Sequence, residues 1–311
     1  MENAVRIGEQ TGLRLINSGA HRGEKGQYRD GSQIFARRLC SATGYGGVLF
    51  RSAGAEAKAQ ALTLTRTYGM KKYGPQRCRI LVLTNRDFDL WLANAEGVFR
   101  VAPQAPEELA KKLDGTVCAL VFSFWEPGGA PLSSDYVKEL FRLCRSAGVL
   151  TISDETELGL GRTGTLLAGE GYGVKPDMTL LSQGLPFGAC LLRGGLEAEV
   201  TGFVPGPSAC AQAMDTLEEL LAPGALEAIG EKGAYLAGKL RQMEGLSQVR
   251  GMGLALSALL REPSPAHAPG EAGGLGLWAQ DEVLLFRPEL RMGNSEMAQA
   301  LARLSQLLSG K

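Results

Sequence analysis

Apolar and polar positions alternate in blocks along the chain. The short apolar run Val48-Leu49-Phe50 passes through Ser52-Ala53-Gly54 into Glu56–Tyr68, where small and apolar residues recur at helical spacing. The alternation then repeats, predicting a strand over Arg79–Thr84, a helix over Glu107–Leu113, a strand over Val117–Phe124, a helix over Asp135–Arg145 and a strand over Val149–Ser153. Two more strands, Met178–Ser182 and Gly188–Leu192, come next with little between them. Continuous apolar strands separated by amphipathic helices imply an α/β fold with a mostly parallel central sheet and helices on both faces. In such sheets ligands bind at the carboxyl ends of the strands, and a phosphate can rest where a strand enters a helix through small residues.

The pattern changes after about residue 210. Helices are predicted over Ala211–Leu221 and Ala225–Glu244, then a strand over Val249–Leu260, a Pro/Gly/Ala loop over Glu262–Gly274, a strand pair around Leu277–Phe286 and a last helix over Ser295–Leu308. The expected organisation is therefore an irregular N-terminal arm (1–34), a large α/β domain (35–208) and a smaller C-terminal α+β domain (209–311).

Composition narrows the chemistry. Lys+Arg 33 balance Asp+Glu 33, which leaves no overall field for nucleic acid or an anionic membrane surface. No apolar run approaches the roughly 18 residues of a membrane span, and the N-terminus does not read as a signal peptide, so a cytoplasmic chain is expected. Six cysteines without a Cys-x-x-Cys pair read as buried reduced thiols, and two histidines, His21 and His267, give little material for a metal site or a Ser-His-Asp triad. Glycine is abundant, 42 of 311 residues, about twice the usual share, and falls in turns without a period. Carboxylates, lysines or a cofactor must carry any catalysis.

The most informative stretch is Asp154-Glu155-Thr156-Glu157-Leu158-Gly159-Leu160-Gly161-Arg162-Thr163-Gly164, an apolar strand ending in paired acids and a glycine-rich turn. Together with Tyr172-Gly173-Val174-Lys175-Pro176-Asp177, Thr43-Gly44-Tyr45-Gly46, Ala53-Gly54-Ala55-Glu56-Ala57 and Val249-Arg250-Gly251-Met252-Gly253, it resembles the class III pyridoxal-phosphate aminotransferases of the acetylornithine and ornithine type. The resemblance covers nearly the whole chain from about residue 35. It implies a fold-type-I architecture, a homodimer built through the family's subunit interface, and a small amine or carboxylate ligand. By the same resemblance Asp154 accepts the cofactor's pyridinium N–H and keeps the ring an electron sink.

The sequence departs from the family where the chemistry is concentrated. The family's Schiff-base lysine lies six residues after the Pro-Asp aspartate, and that position is Gln183. An amide nitrogen delocalised into its carbonyl cannot attack an aldehyde, and the lysine's second role as a positioned base is lost with it. The glycine-rich turn beyond it is shortened to Gln183-Gly184-Leu185 before Pro186-Phe187-Gly188. Ala53-Gly54-Ala55 stands where the family has Ser-Gly-Thr, keeping the backbone of the phosphate cup without its hydroxyls. Glu157 stands at a glutamine of the pattern. Phe88 or Trp91 is the candidate for stacking on the ring, and Phe122 or Ser123 replaces a glutamate. Phe203–Ser208 lacks the threonine with which a subunit completes its neighbour's site. The substrate-carboxylate arginine falls on Leu285, with Arg287 on the same strand face as its substitute.

Asp154, Ala53, Gly54, Ala55, Glu157 and Phe88 thus read as remnants of a cofactor site, Arg287 as a weak substrate contact, and no residue as a metal ligand. Lys58 and Lys175 lie near motif positions but are expected to face solvent. The cluster Lys71, Lys72, Arg77 and Arg79 reads as a solvated helix end. Loss of the cofactor would be accompanied by a pocket above Asp154 closed by Gln183 or Phe187. The leading expectation is a homologue that has lost transamination and acts as a binding or regulatory protein, with pyridoxal phosphate held non-covalently or absent. The alternatives are an atypical active enzyme for ornithine-like amines and a non-catalytic interaction subunit of an active paralogue.

Overall fold

The computed structural model describes residues 5–6, 14–15, 27–84, 96–103, 106–125, 130–196, 203–261, 274–280 and 282–308. Their contacts divide the chain into two units, one formed by Met1–Phe124, Ser134–Leu160 and Tyr172–Leu221, the other by Trp125–Ser133, Gly161–Gly171 and Ala222–Lys311.

The first unit is built on a seven-stranded sheet, with a two-stranded antiparallel ladder of β1 (Val5–Arg6) and β2 (Arg14–Leu15) ahead of it. The strands of the sheet are β3 (Gly47–Arg51), β4 (Arg79–Leu83), β5 (Val98–Val101), β6 (Val117–Phe122), β7 (Leu150–Asp154), β8 (Met178–Leu181) and β9 (Gly188–Leu192), in the spatial order β3-β9-β8-β7-β6-β4-β5. Strands β5, β4, β6, β7 and β8 run parallel, while β9 is antiparallel to both β8 and β3. Because β9 reverses twice against its neighbours, β3 points the same way as β7 and β8. The carboxyl ends of β3, β7 and β8 and the start of β9 therefore share one edge of the sheet.

Helices α1 (Gln27–Thr43), α2 (Gly54–Tyr73), α3 (Pro106–Lys112), α4 (Ser134–Ala147) and α6 (Pro207–Leu221) belong to this unit. Helix α2 lies across β3, β9, β8 and β6 and buries Ala57, Ala61, Leu62, Leu64 and Thr65 against a core that includes Leu49, Ile80, Val82, Ala119, Val121, Ile152, Leu180 and Cys190. Strand β6 is buried at all six positions, as expected of a strand covered on both faces.

The second unit carries a four-stranded antiparallel sheet in the order β10-β11-β13-β12, formed by β10 (Leu246–Met252), β11 (Ala255–Leu260), β12 (Leu277–Gln280) and β13 (Val283–Phe286). It also holds α5 (Ala168–Gly171), α7 (Ala225–Arg241) and α8 (Asn294–Leu308). Helix α7 packs on β10, β11 and α8, and α8 buries Met297, Ala300, Leu301 and Leu304.

Three elements differ from the local sequence pattern. The segment read as an irregular arm up to residue 34 contains the start of α1, because its apolar stripe becomes visible only from Phe35, Ala36, Leu39 and Cys40 onward. The strand read over Val249–Leu260 is two strands, since Gly253 at φ +54 turns the chain between them. Helix α6 groups with the first unit, where Arg38 on α1 pairs Glu218 on α6 at 2.5 Å. Among the described residues no helix is long and apolar enough to cross a membrane, and no group of three His, Cys, Asp or Glu could hold a metal.

Candidate functional site

The site is assembled where β3 enters α2, β7 ends, and β8 turns into β9. Ala53 caps α2 in an extended conformation, φ −146, without a side-chain hydrogen bond, and the helix begins with Ala57 N–H donating to Ala53 O at 3.1 Å. Glu56 Oε2 accepts the Ser52 N–H at 3.1 Å, which steadies the turn. The first N–H groups of the helix have no partner within it, and the helix starts at the stretch Ala53-Gly54-Ala55 read above as a phosphate cup.

Two glycines record how tightly the chain closes around this cup. A Cβ on Gly188 would lie 2.3 Å from Ala53 O and 2.6 Å from Ala53 C, so the first residue of β9 touches the cap backbone. A Cβ on Gly54 would lie 2.8 Å from Ser182 Cβ and 3.5 Å from Thr156 Cγ2. Ser182, the residue after β8, therefore stands directly against the helix N-terminus.

Asp154 ends β7, with its carboxylate engaged on both oxygens. Oδ1 accepts the Thr156 N–H at 3.1 Å and the Thr156 hydroxyl at 2.7 Å. Oδ2 lies 2.7 Å from the ammonium of Lys58, the two side chains being 19% and 13% exposed respectively. This corrects the expectation that Lys58 faces solvent. A helical side chain leans toward the helix N-terminus, and from the second turn of α2 that direction carries Lys58 back to the strand ends, where a carboxylate waits. The fully buried Glu155 comes next, 3.2 Å from the Ser153 hydroxyl, which contacts Thr179 Oγ1 at 2.8 Å; Thr179 in turn contacts the Tyr45 hydroxyl at 2.7 Å. Burial pushes the Tyr45 hydroxyl well above the usual phenol range, the Thr179 hydrogen bond partly offsetting it. Asp177 anchors the start of β8 by accepting from Thr151 N–H at 2.8 Å and Thr151 Oγ1 at 2.9 Å, and pairs Arg193 at 2.7 Å.

Gln183 sits at the exposed tip of the β8–β9 connection. Its N–H donates to Thr156 O at 3.0 Å, and Leu185 N–H closes the turn on Ser182 O at 2.9 Å. Neither Gln183 nor Phe187 is the group that meets Asp154. Phe187 turns into the core instead, with its ring edge-on to Phe50 at 5.1 Å and to Phe35 at 5.7 Å.

Of the remaining predicted residues, Glu157 is exposed in the turn after β7, and Ala53 and Ala55 are exposed at the cup. Phe122 is buried edge-on to Phe124 at 5.1 Å, with the half-buried Ser123 beside it in the chain. Phe88 and Trp91 lie outside the described residues. Arg287 belongs to the second unit, just past β13, with its N–H bonded to Leu275 O at 3.0 Å. Burial, with the Arg287 charge adding to it, holds the Arg162 guanidinium down at about 10, and Glu289 opposes. Lys175 is exposed, donating to Gly44 O with its ammonium 4.6 Å from the Tyr45 ring centroid. Lys71 and Lys72 are exposed as expected of a helix end. Arg77 is not: it is buried, 4.4 Å from the centroid of Tyr73. Sequence reasoning missed the contributions of Thr156 and Ser182; the only signal for either is position, one just after β7 and one just after β8.

A family model for aminotransferase class III matches residues 94–308. The acetylornithine aminotransferase of Caldanaerobacter subterraneus subsp. tengcongensis is 30% identical over 317 residues, an alignment covering 91% of this chain and 81% of that protein. Among solved structures, the ornithine aminotransferase from Toxoplasma gondii superposes with a TM-score of 0.77 at 24% identity, covering 90% of this chain and 76% of that one. The acetylornithine aminotransferase from Elizabethkingia anophelis gives a TM-score of 0.77 at 20% identity, covering 93% and 82%.

Proposed function

This chain belongs to the aminotransferase class III family, and from that premise we propose that it is a member of the ornithine and acetylornithine type that does not transaminate and acts as a binding or regulatory protein. The observation that carries the reading is Gln183, six residues after Asp177 on the short turn between β8 and β9. A primary amide there supplies neither a nucleophile nor a base.

The residues around that turn do not fit pyridoxal phosphate as the family holds it. The carboxylate suited to a ring N–H has both oxygens taken by Thr156 and Lys58. The cup offers Ala53 and Ala55 in place of hydroxyls, and Ser182 stands against Gly54. No catalytic step is therefore assigned through that group. Lys58 does not favour an atypical enzyme either, because its ammonium is held on the carboxylate of Asp154, where the ring nitrogen would lie.

Incubation with excess pyridoxal phosphate, borohydride reduction and peptide mass mapping tests the reading. No cofactor-sized gain on any one lysine is expected, and no keto product from ornithine or acetylornithine with 2-oxoglutarate. A specific adduct accompanied by turnover would overturn it. Self-association into a homodimer in the cytoplasm, with a small amine or carboxylate as ligand, completes the proposal; sedimentation of a monomer at micromolar concentration would remove the dimer from it.

A further inference from the structure

Asp154 is placed where a sheet of this topology meets its ligand, yet its charge is balanced from within the chain. Oδ1 is satisfied by two donors from Thr156, and Oδ2 faces the Lys58 ammonium at 2.7 Å. With the Lys58 and Asp154 side chains 13% and 19% exposed, neither ion is freely hydrated, and the contact between them compensates the carboxylate. The surrounding backbone leaves little latitude: β9 abuts the cap at Gly188, and Ser182 abuts Gly54. A cationic ring approaching Asp154 must first displace the Lys58 ammonium from Oδ2.

We propose that Lys58 is a built-in counter-ion that holds Asp154 closed to cationic nitrogen heterocycles of the pyridinium class. The proposal rests on the non-transaminating reading and extends it by identifying the group that blocks the inherited site. Removal of the ammonium leaves an uncompensated carboxylate beside a helix N-terminus, a combination that favours a ligand carrying one ring cation and one phosphate.

The probe is pyridoxine 5′-phosphate, which has the ring nitrogen and the phosphate but an alcohol in place of the aldehyde. It cannot form a covalent adduct with any lysine, so its binding is independent of whether the chain can use an aldehyde cofactor. Titration calorimetry is applied to the full chain and to Lys58→Met, Lys58→Arg and Lys58→Met/Asp154→Asn. The expected result is affinity about tenfold or more higher in Lys58→Met than in the parent chain, no gain in Lys58→Arg, and loss of the gain in the double variant. Lys58→Gln is a second removal of the charge should the methionine variant fold poorly, and circular dichroism verifies folding of each. Equal affinity in the parent and in the charge-removed variant, including binding undetectable in both, overturns the proposal, as does a gain that survives Asp154→Asn. A covalent adduct with pyridoxal phosphate itself would instead strike at the non-transaminating reading.

Discussion

Removing either partner of the Lys58–Asp154 pair should destabilise the first unit by an amount set by partial burial. At the observed 2.7 Å and an effective dielectric of about 20, the direct attraction is about 6 kcal/mol, most of it offset by taking two ions out of water. Exposed pairs contribute about 0.2–1 kcal/mol, and breaking a fully buried one costs about 3–5; side chains 13% and 19% exposed fall between these limits. Lys58→Met leaves Asp154 with both Thr156 hydrogen bonds and is expected to cost about 1–2 kcal/mol. Asp154→Asn keeps an acceptor for Thr156 but removes the charge facing the ammonium, and is expected to cost about 2–3 kcal/mol. In the double variant the two costs should fall short of additivity by about 1–2 kcal/mol. Thermal unfolding of the four proteins measures this, each kcal/mol corresponding to about 2–4 °C in a unit of this size. Strict additivity to within about 0.5 kcal/mol, or a Lys58→Met variant more stable than the parent, would refute the reasoning.

Gln183→Lys alone is expected to give no borohydride-trapped adduct at position 183, because the turn remains short and Asp154 remains paired; a cofactor-sized mass gain on that residue would contradict it. Gly188→Ala would put a methyl 2.3 Å from Ala53 O, where fixed backbone must move, so a loss of about 3 kcal/mol is expected, read as a lowered melting temperature; an unchanged one would show that the cup can yield. Phe187→Ala removes a ring packed on Phe35 and Phe50 and should cost about 3–5 kcal/mol in the same assay. Burial pushes the thiols of Cys40, Cys144 and Cys190 up to about 12 and that of Cys118 up to about 11. A raised thiol stays protonated until pH approaches that value, so at pH 8 these four should resist iodoacetamide in the native protein while the half-buried Cys78 is alkylated first; equal labelling by peptide mapping would count against the burial.

The parts of the fold that were legible are those whose burial is written locally. Strands β6 and β7 are runs of apolar residues buried on both faces, so continuity of the run was enough. The edge strand β5 was missed because Phe99 and Arg100 are exposed and only Val101 is fully buried. The first turns of α1 were missed because their residues are mostly polar and the apolar stripe starts later. The site divides along the same line. Asp154 and Gln183 were singled out by counting along the motifs of the resemblance, Gln183 lying six residues after Asp177. Lys58 could not, because the residues on either side of it, Ala57 facing the core and the exposed Ala59, give no hint of which way a lysine turns. Its direction is decided by a carboxylate far along the chain that only the sheet order brings near. The same holds for Phe187, whose place beside Phe35 and Phe50 depends on three separate elements meeting.

Charge compensation by a residue of the chain differs in kind from compensation by a bound ligand. When a diffusing ligand completes a fold, native stability obeys mass action, rising by about 2.7 kcal/mol at a hundredfold excess over its dissociation constant and vanishing when supply fails. An ammonium carried on α2 has no concentration to run short of: dialysis does not remove it, and it is present from the moment the chain folds. The contribution of this one pair to the melting temperature should accordingly survive exhaustive dialysis unchanged.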